Sequence, residues 1–210
     1  MPRQAYPPRR PVANPGPLGL YAFAATTLIL SLFNVGARDI IVPNAIVGMA
    51  IFYGGLCQLL AGMWEFACGN TFGATAFTSY GAFWLSFSAF YVPSSGIGAA
   101  YAAADNGTAQ EDAAIGIYLM AWMAISFLFF LACLRKNIAF LALFFTLIPT
   151  FACLGAAKLS GNNKVNVAGG AFGIVAALIA FYTGTAELLG PDDLFQLPLG
   201  RFAPRRMRTA

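Results

Sequence analysis

The chain of 210 residues contains no histidine and very few charged residues. Without histidine it lacks the usual general base, a common zinc ligand and the ordinary charge switch near neutral pH. Charged residues make up 10% of the chain and apolar residues 59%, whereas a soluble domain needs roughly a quarter of its residues charged. Because so few charges cannot solvate a globule, the sequence predicts an integral membrane protein.

Cysteines are also few, and no two of them are spaced as Cys-x-x-Cys. The four lie in or beside apolar stretches: Cys57, Cys68, Cys133 and Cys153. Small apolar packing residues explain them better than a disulfide or a metal site does. The sequence therefore predicts neither a metal site nor a cofactor.

Charged residues divide the sequence into apolar blocks of spanning length, since about 20 residues cross the hydrocarbon core. We predict an all-α transmembrane bundle within residues 13–190. Its six helices are expected near residues 18–36, 42–62, 71–92, 113–133, 138–157 and 167–187. Residues 1–12 are expected to form a disordered cytosolic tail, and residues 191–210 a basic cytosolic tail.

The basic residues set the predicted orientation. Six spans put both termini on one side, together with nine of the twelve basic residues: Arg3, Arg9, Arg10, Arg135, Lys136, Arg201, Arg205, Arg206 and Arg208. The other side holds Arg38, Lys158 and Lys164. By the positive-inside rule both termini are cytosolic. This distribution indicates topology, and no nucleic-acid partner is expected.

Catalysis is not expected inside the predicted bundle. Every aspartate falls in a predicted loop or tail, so intramembrane hydrolysis lacks its usual groups. Glu65 and Glu187 fall at predicted helix ends, where a place at the membrane interface is favoured. Since no lysine or arginine lies at mid-membrane, a bound anion would depend on helix N-termini, backbone N–H groups and hydroxyls. Such weak binding suits transport.

Two glycine-rich helix starts stand out in a chain so poor in polar groups. Residues 14–20 read NPGPLGL, and residues 69–81 read GNTFGATAFTSYG. Asn14 is a good N-cap and Pro15 a good first-turn residue. In the second segment Thr71 and Thr75 share a helical face. Helix packing explains part of this pattern, and a polar solute path explains the rest.

These segments resemble the motifs of the acetate uptake transporter family, also called succinate–acetate permeases, of bacteria and fungi. The resemblance covers roughly residues 13–190, and Gly16 stands where alanine is commoner, which should loosen the path entrance. The resemblance implies a six-helix protomer, a homohexamer in membrane lipid, and a substrate path within each protomer. It implies acetate and other short monocarboxylates, and succinate, as substrates. Residues 91–112 and 192–204 look like fungal members, which favours the plasma membrane.

The resemblance also implies the site. The family's constriction, made by a Phe, a Tyr and a Leu, falls on Phe23, Tyr80 and Leu147. Such an apolar ring would block hydrated ions by dewetting, while the Tyr hydroxyl would offer a solute one hydrogen bond. Pro149 is expected to kink the fifth helix nearby. The polar or entrance residues of the path are expected to be Asn14, Pro15, Gly16, Gln58, Glu65, Asn70, Thr71, Thr75 and Trp84.

Several alternatives stay open. Passage is passive or proton-linked, and without histidine the proton carriers would be Glu65, Glu187 or the undissociated acid itself. A ligand sensor at the membrane would use the Arg-rich tails for signalling. An aquaporin-like channel is suggested by the Asn14–Pro15 pair, but it would need a second such pair and an arginine within a span.

Overall fold

Helices make up all the regular secondary structure in residues 12–200 and 202, which are the residues that the computed structural model describes. The all-α prediction is therefore confirmed for this part of the chain. Besides two 3-10 turns at Ala37–Asp39 and Pro93–Ser95, the helices are α1 (Gly16–Asn34), α2 (Pro43–Ala67), α3 (Thr71–Ala89), α4 (Ile97–Ala102), α5 (Gly107–Cys133), α6 (Ile138–Ser160) and α7 (Asn163–Leu188). The predicted tails lie outside the described residues, apart from residue 12 and residues 191–200 and 202.

Five of these helices, α1, α2, α5, α6 and α7, are long and apolar enough to cross a membrane. Helix α3 has 19 residues, as α1 does, but its threonines and serines lower its hydropathy. Helix α5 begins six residues before the predicted start at residue 113, and the short helix α4 occupies a segment predicted to be a loop. The early start of α5 arises because polar residues at 108–112 can continue a helix as readily as they form a loop, and α4 forms because half of its residues are alanine, the strongest helix former.

Helix α2 is a composite. A 3-10 turn at Pro43–Ala45 leads through Ile46–Gly48 into a nine-residue π-helix at Met49–Cys57, and an α-helix at Gln58–Ala67 completes it. The hydrogen bonds of a π-helix join residues five apart, so its backbone is wider than that of an α-helix. Sequence reasoning missed this feature, because its apolar composition looks the same in either helix.

The two ends of the bundle are defined by chain contacts. The Asn14 side-chain amide donates to the Glu187 carbonyl at 3.4 Å, which places the start of α1 beside the end of α7; we call this the terminal end. At the opposite end the Asn166 amide donates to the Asn34 carbonyl at 3.0 Å. Between them α1 packs along α7, α7 along α6 and α6 along α5, while α2 contacts α1 and α3.

The segment after α7 returns to the start of α6. The backbone N–H groups of Ile138 and Ala139 donate to the carbonyls of Gly200 and Leu199 at 3.0 and 3.3 Å. The first N–H groups of a helix have no partner within the helix, so this C-terminal segment satisfies two of them. The Tyr182 hydroxyl holds the segment further by donating to the Pro198 carbonyl at 2.7 Å.

All four cysteines are free thiols. Cys133 is fully buried, as expected of a packing residue. Cys68 is exposed just after α2, so packing does not account for it.

Gly81 of α3 lies against the backbone of α2. A Cβ there would be 2.6 Å from the Leu59 nitrogen, and a backbone atom cannot turn aside as a side chain can. We predict that Gly81→Ala pushes the helices apart and costs about 1–3 kcal/mol of stability, measured as a lower melting temperature in detergent. Gly98→Ala is the matched control, since a Cβ there meets nothing within 4 Å. Equal melting temperatures would contradict the close contact.

Candidate functional site

Two cavities lie along the bundle, one towards each end. The terminal-end cavity has a volume of about 340 Å³, and the opposite-end cavity about 70 Å³. Residues of α1, α3 and α6 line both. Phe23 and Leu147 belong to both linings, so these two side chains separate the cavities.

The two cavities are separated by a buried layer of three side chains, Phe23, Tyr80 and Leu147, which we call the partition. Phe23 meets Tyr80 edge to face, with centroids 5.6 Å apart, and both line the terminal-end cavity with Leu147. Their exposed fractions are 5%, 3% and 2% in chain order. Tyr80 also contacts the rings of Trp122 and Phe144. The structure thus brings together the three residues predicted to form the constriction, from α1, α3 and α6.

The Tyr80 hydroxyl is engaged with α5. It lies 2.8 Å from the Ser126 hydroxyl, which itself donates to the Trp122 carbonyl at 2.7 Å. Because a serine has one hydroxyl proton, Tyr80 is the donor to Ser126. The hydrogen bond that Tyr80 was expected to offer a solute is therefore already made, and only its ring faces the partition.

Glu65 supplies a buried carboxyl group to the terminal-end cavity. Its exposed fraction is 3%, although its position at the end of α2 favoured contact with the membrane interface. The Asn70 amide donates to this carboxylate at 2.8 Å. The carbonyl oxygen of the same side chain accepts the Gly73 N–H at 3.1 Å and so caps α3. One asparagine therefore fixes both the helix start and the carboxylate.

Gly16 lies between two carboxylates at the start of α1. A Cβ there would contact the Glu187 carboxylate and lie 3.4 Å from an oxygen of Glu65. The Asn14 side chain accepts the Gly16 N–H at 3.0 Å. The N-cap position is nevertheless occupied by Pro15, so the prediction of Asn14 as the N-cap and Pro15 in the first turn was wrong by one residue. Gly16 thus makes room for Glu187 beside a helix N-terminus, where negative charge is stabilised.

Three buried polar groups on the cavity walls have no hydrogen-bond partner among the described residues. They are the Gln58 carbonyl oxygen in the terminal-end cavity and, in the opposite-end cavity, the Thr27 hydroxyl and the Trp84 indole N–H. Buried polar groups in proteins are nearly always paired. These three can therefore bind water or a polar solute in the cavities.

Lysines lie at both ends of the helix that carries Leu147. Lys136 lines the terminal-end cavity, with its ammonium 4.6 Å from the centroid of the Phe72 ring. Lys158 lines the opposite-end cavity and pairs with Asp112 at 2.7 Å. Sequence reasoning assigned both lysines to topology alone, although their positions at the two ends of one helix were visible in the sequence.

Some predicted path residues lie elsewhere. Thr71 and Thr75 are exposed, and the Thr75 hydroxyl donates to the Thr71 carbonyl at 2.8 Å, so neither reaches a cavity wall. Asn14, Pro15 and Gly16 stand beside the terminal-end cavity without lining it. Helix α6 continues through Pro149 without a break.

The sequence analysis did not name several residues that line the terminal-end cavity. Two of them, Phe140 and Phe144, precede Leu147 at helical spacing and could have been found from that pattern. The residues missed include Leu20, Phe72, Phe77, Asn137, Phe140, Leu143 and Phe144.

The sequence pattern of the GPR1/FUN34/yaaH family matches residues 1–202. The chain belongs to that family. Among GPR1/FUN34/yaaH relatives, "Ammonia transport outward protein 2" of Saccharomyces cerevisiae is 47% identical over 176 residues, which are 84% of this chain and 61% of that protein. "Acetate permease A" of Emericella nidulans is 42% identical over 201 residues, 92% of this chain and 67% of that protein. The chain thus spans about two thirds of the length of these fungal relatives.

Bacterial members of the GPR1/FUN34/yaaH family match over nearly their whole length. The "Succinate-acetate/proton symporter SatP" of Escherichia coli is 37% identical over 191 residues, 90% of this chain and 96% of that protein. The solved structure of the bacterial acetate channel SatP superposes with a TM-score of 0.73 at 36% identity, covering 84% of this chain and 92% of that one. The resemblance to acetate uptake transporters is thereby confirmed.

Asn70 offers a direct test of the terminal-end cavity wall. We predict that Asn70→Ala costs about 1 kcal/mol for the lost helix cap and about 1 kcal/mol or more for the unpaired Glu65 carboxylate. Melting temperature in detergent measures the sum. The matched control is Asn162→Ala, which removes the exposed cap on α7 and no carboxylate contact. A loss no larger than that of the control would contradict the Glu65 contact.

Proposed function

We propose that this chain is a membrane transporter or channel for acetate and other short monocarboxylates, with succinate as a further substrate. The observation that carries the proposal is the pair of cavities separated by Phe23, Tyr80 and Leu147. The names of the acetate permease, symporter and channel relatives support the choice of substrate. Solute would pass from one cavity to the other within a single protomer.

The chemistry of the proposed path suits a small carboxylic acid. The apolar partition resists hydrated ions by dewetting, while the methyl group of acetate meets rings and a leucine. On either side Gln58 and Trp84 offer unpaired polar groups to the carboxyl end. Because these contacts are few and mostly neutral, the solute would be held weakly and released readily.

We further propose that all six long helices span the plasma membrane, with α3 as the sixth. Both termini would face the cytosol, and the opposite end the exterior. The position of α3 between α2 and the rings of α5 and α6 supports its place in the bundle despite its hydroxyl groups. A homohexamer, as the family resemblance implies, would cover part of the exposed apolar surface, to which Phe52, Leu128 and Phe172 belong.

Widening the partition tests the path. In liposomes, Leu147→Ala and Phe23→Ala are expected to relax the preference for acetate over the larger lactate by about tenfold, the scale of one or more missing methylene contacts. Labelled-acid uptake measures this ratio. Leu128→Ala, on the exposed face of α5, is the matched control. An unchanged ratio in both partition variants would place the path elsewhere.

Two substitutions of Tyr80 separate the role of its ring from the role of its hydroxyl. We predict that Tyr80→Phe keeps near-normal acetate uptake, because the hydroxyl proton is donated to Ser126 and not to the solute. Tyr80→Ala should relax selectivity as the other two partition variants do. If Tyr80→Phe abolishes uptake while the protein remains folded in detergent, the hydroxyl takes part in passage.

Proton linkage makes a separate prediction. If the Glu65 carboxyl group carries the proton, acetate uptake should rise as the external pH falls, and Glu65→Gln should flatten that response. If the undissociated acid carries its own proton, Glu65→Gln should leave the response intact. Asp105→Asn, an exposed loop substitution outside both cavity linings, serves as control. Uptake in the wild type that ignores external pH would exclude proton linkage altogether.

A second candidate solute is ammonium. The relative named for ammonia transport suggests it, and the carboxyl groups of Glu65 and Glu187 on one cavity wall suit a cation. A counterflow panel of acetate, lactate, succinate and methylammonium would separate the two candidates. Flux of acids supports the first proposal, flux of methylammonium alone supports the second, and ligand binding without any flux would indicate a sensor.

A further inference from the structure

Among the residues that the structure describes, a single charged one lines the opposite-end cavity. That residue is Lys158, in the last turn of α6. Asp112, near the start of α5, pairs with its ammonium at 2.7 Å, and the two side chains are 38% and 43% exposed. The ammonium group on the wall of this cavity, at the opening that we call its mouth, is therefore already bound to a carboxylate.

We propose that Asp112 sets the charge selectivity of this mouth by competing with the solute carboxylate for Lys158. It would thereby disfavour dicarboxylates relative to monocarboxylates. This inference rests on the proposed function, since it assumes that acids pass through the opposite-end cavity. It assigns the role of specificity determinant to a residue outside the cavity wall itself.

Asp112 and an acid anion would compete for Lys158 because both present a carboxylate. An aspartate and a carboxylic acid anion present the same pair of acceptor oxygens to a lysine ammonium. To pair fully with Lys158, a solute has to displace Asp112 or share the ammonium with it. Lys158 also stands in the last turn of α6, where the negative end of the helix dipole offsets part of its charge.

Nearby groups make the mouth more negative still. Glu111 precedes Asp112, and both face Tyr91, whose side chain lines the same cavity. Burial raises the pKa of the Tyr91 phenol, and the negative charges of Glu111 and Asp112 raise it further. Tyr91 therefore stays neutral, and the two carboxylates that face it outnumber the one ammonium on the cavity wall. A dianion meets twice the repulsion that a monoanion meets, which provides discrimination through a repulsive element.

A purely structural role explains the pair poorly. Half-exposed ion pairs contribute little to stability, because solvent screens them and long side chains must be ordered. The other mouth has a different arrangement, with Lys136 against the Phe72 ring. The lysines at the two cavities therefore have different partners: Lys136 lies over an aromatic ring, whereas Lys158 pairs with a carboxylate.

Uptake kinetics in intact cells expressing the whole chain test the proposal, since the proposed topology presents this mouth to the medium. In a medium of low ionic strength, Asp112→Asn should lower the KM for succinate roughly two- to fivefold and the KM for acetate by less. The difference should fade as salt is added, because salt screens exposed charges. Asp105→Asn, an exposed loop residue, is the control. Equal effects of the two substitutions, or an unchanged ratio of KM values, would overturn the proposal.

An exchange of the two residues separates selectivity from stability. Asp112→Lys combined with Lys158→Asp keeps the ion pair but turns a carboxylate towards the cavity, so the KM for succinate should rise above that of the wild type. A wild-type KM ratio in the exchanged protein would mean that the pair is only structural. Absence of acid uptake by the wild type would instead refute the proposed function, and this inference with it.

Discussion

The contact on which the bundle's interior depends is the layer of rings around Tyr80. Helices α2 and α7 each approach α1 through glycines, but α3 meets α5 and α6 through long aromatic side chains. Phe23, Trp122 and Phe144 surround the Tyr80 ring, and Ser126 holds its hydroxyl. This separation leaves room for a cavity on either side, while the rings themselves close the space between.

The fold was largely predictable from the sequence, because the scarcity of charge and the spacing of apolar blocks act over whole helices. What escaped prediction depends on details that hydropathy does not record. The π-helix of Met49–Cys57 has the same composition as an α-helix, and the early start of α5 depends on polar residues that are comfortable in either a helix or a loop. Asn106, with a φ of 55°, marks that start through its backbone and not through its hydrophobicity.

Site residues that belong to short sequence motifs could be predicted. Site residues that are brought together only by the folding of distant segments could not. The motif resemblance pointed to Phe23, Tyr80 and Leu147, which the fold brings together. Thr71 and Thr75 had the right chemistry, but they lie on the outer face of α3. Lys136 and Lys158 line the cavities only because α6 extends far enough to carry its flanking residues to both mouths. The engagement of Tyr80 with Ser126 required knowledge of which helices are neighbours, since 46 residues separate the pair.

The π-helix in α2 determines the direction of the polar side chains that α2 contributes to the terminal-end cavity. Gln58 and Glu65 follow it in the same helix, so their direction depends on how many residues the wide turns contain. Deleting one residue from Met49–Cys57 while the remaining turns keep their π winding would rotate everything after it by one residue's share of a turn relative to what precedes it. Gln58 and Glu65 would then turn away from the terminal-end cavity without either being changed. In this helix the number of residues in the π-helix, more than their identity, decides which side chains line the cavity.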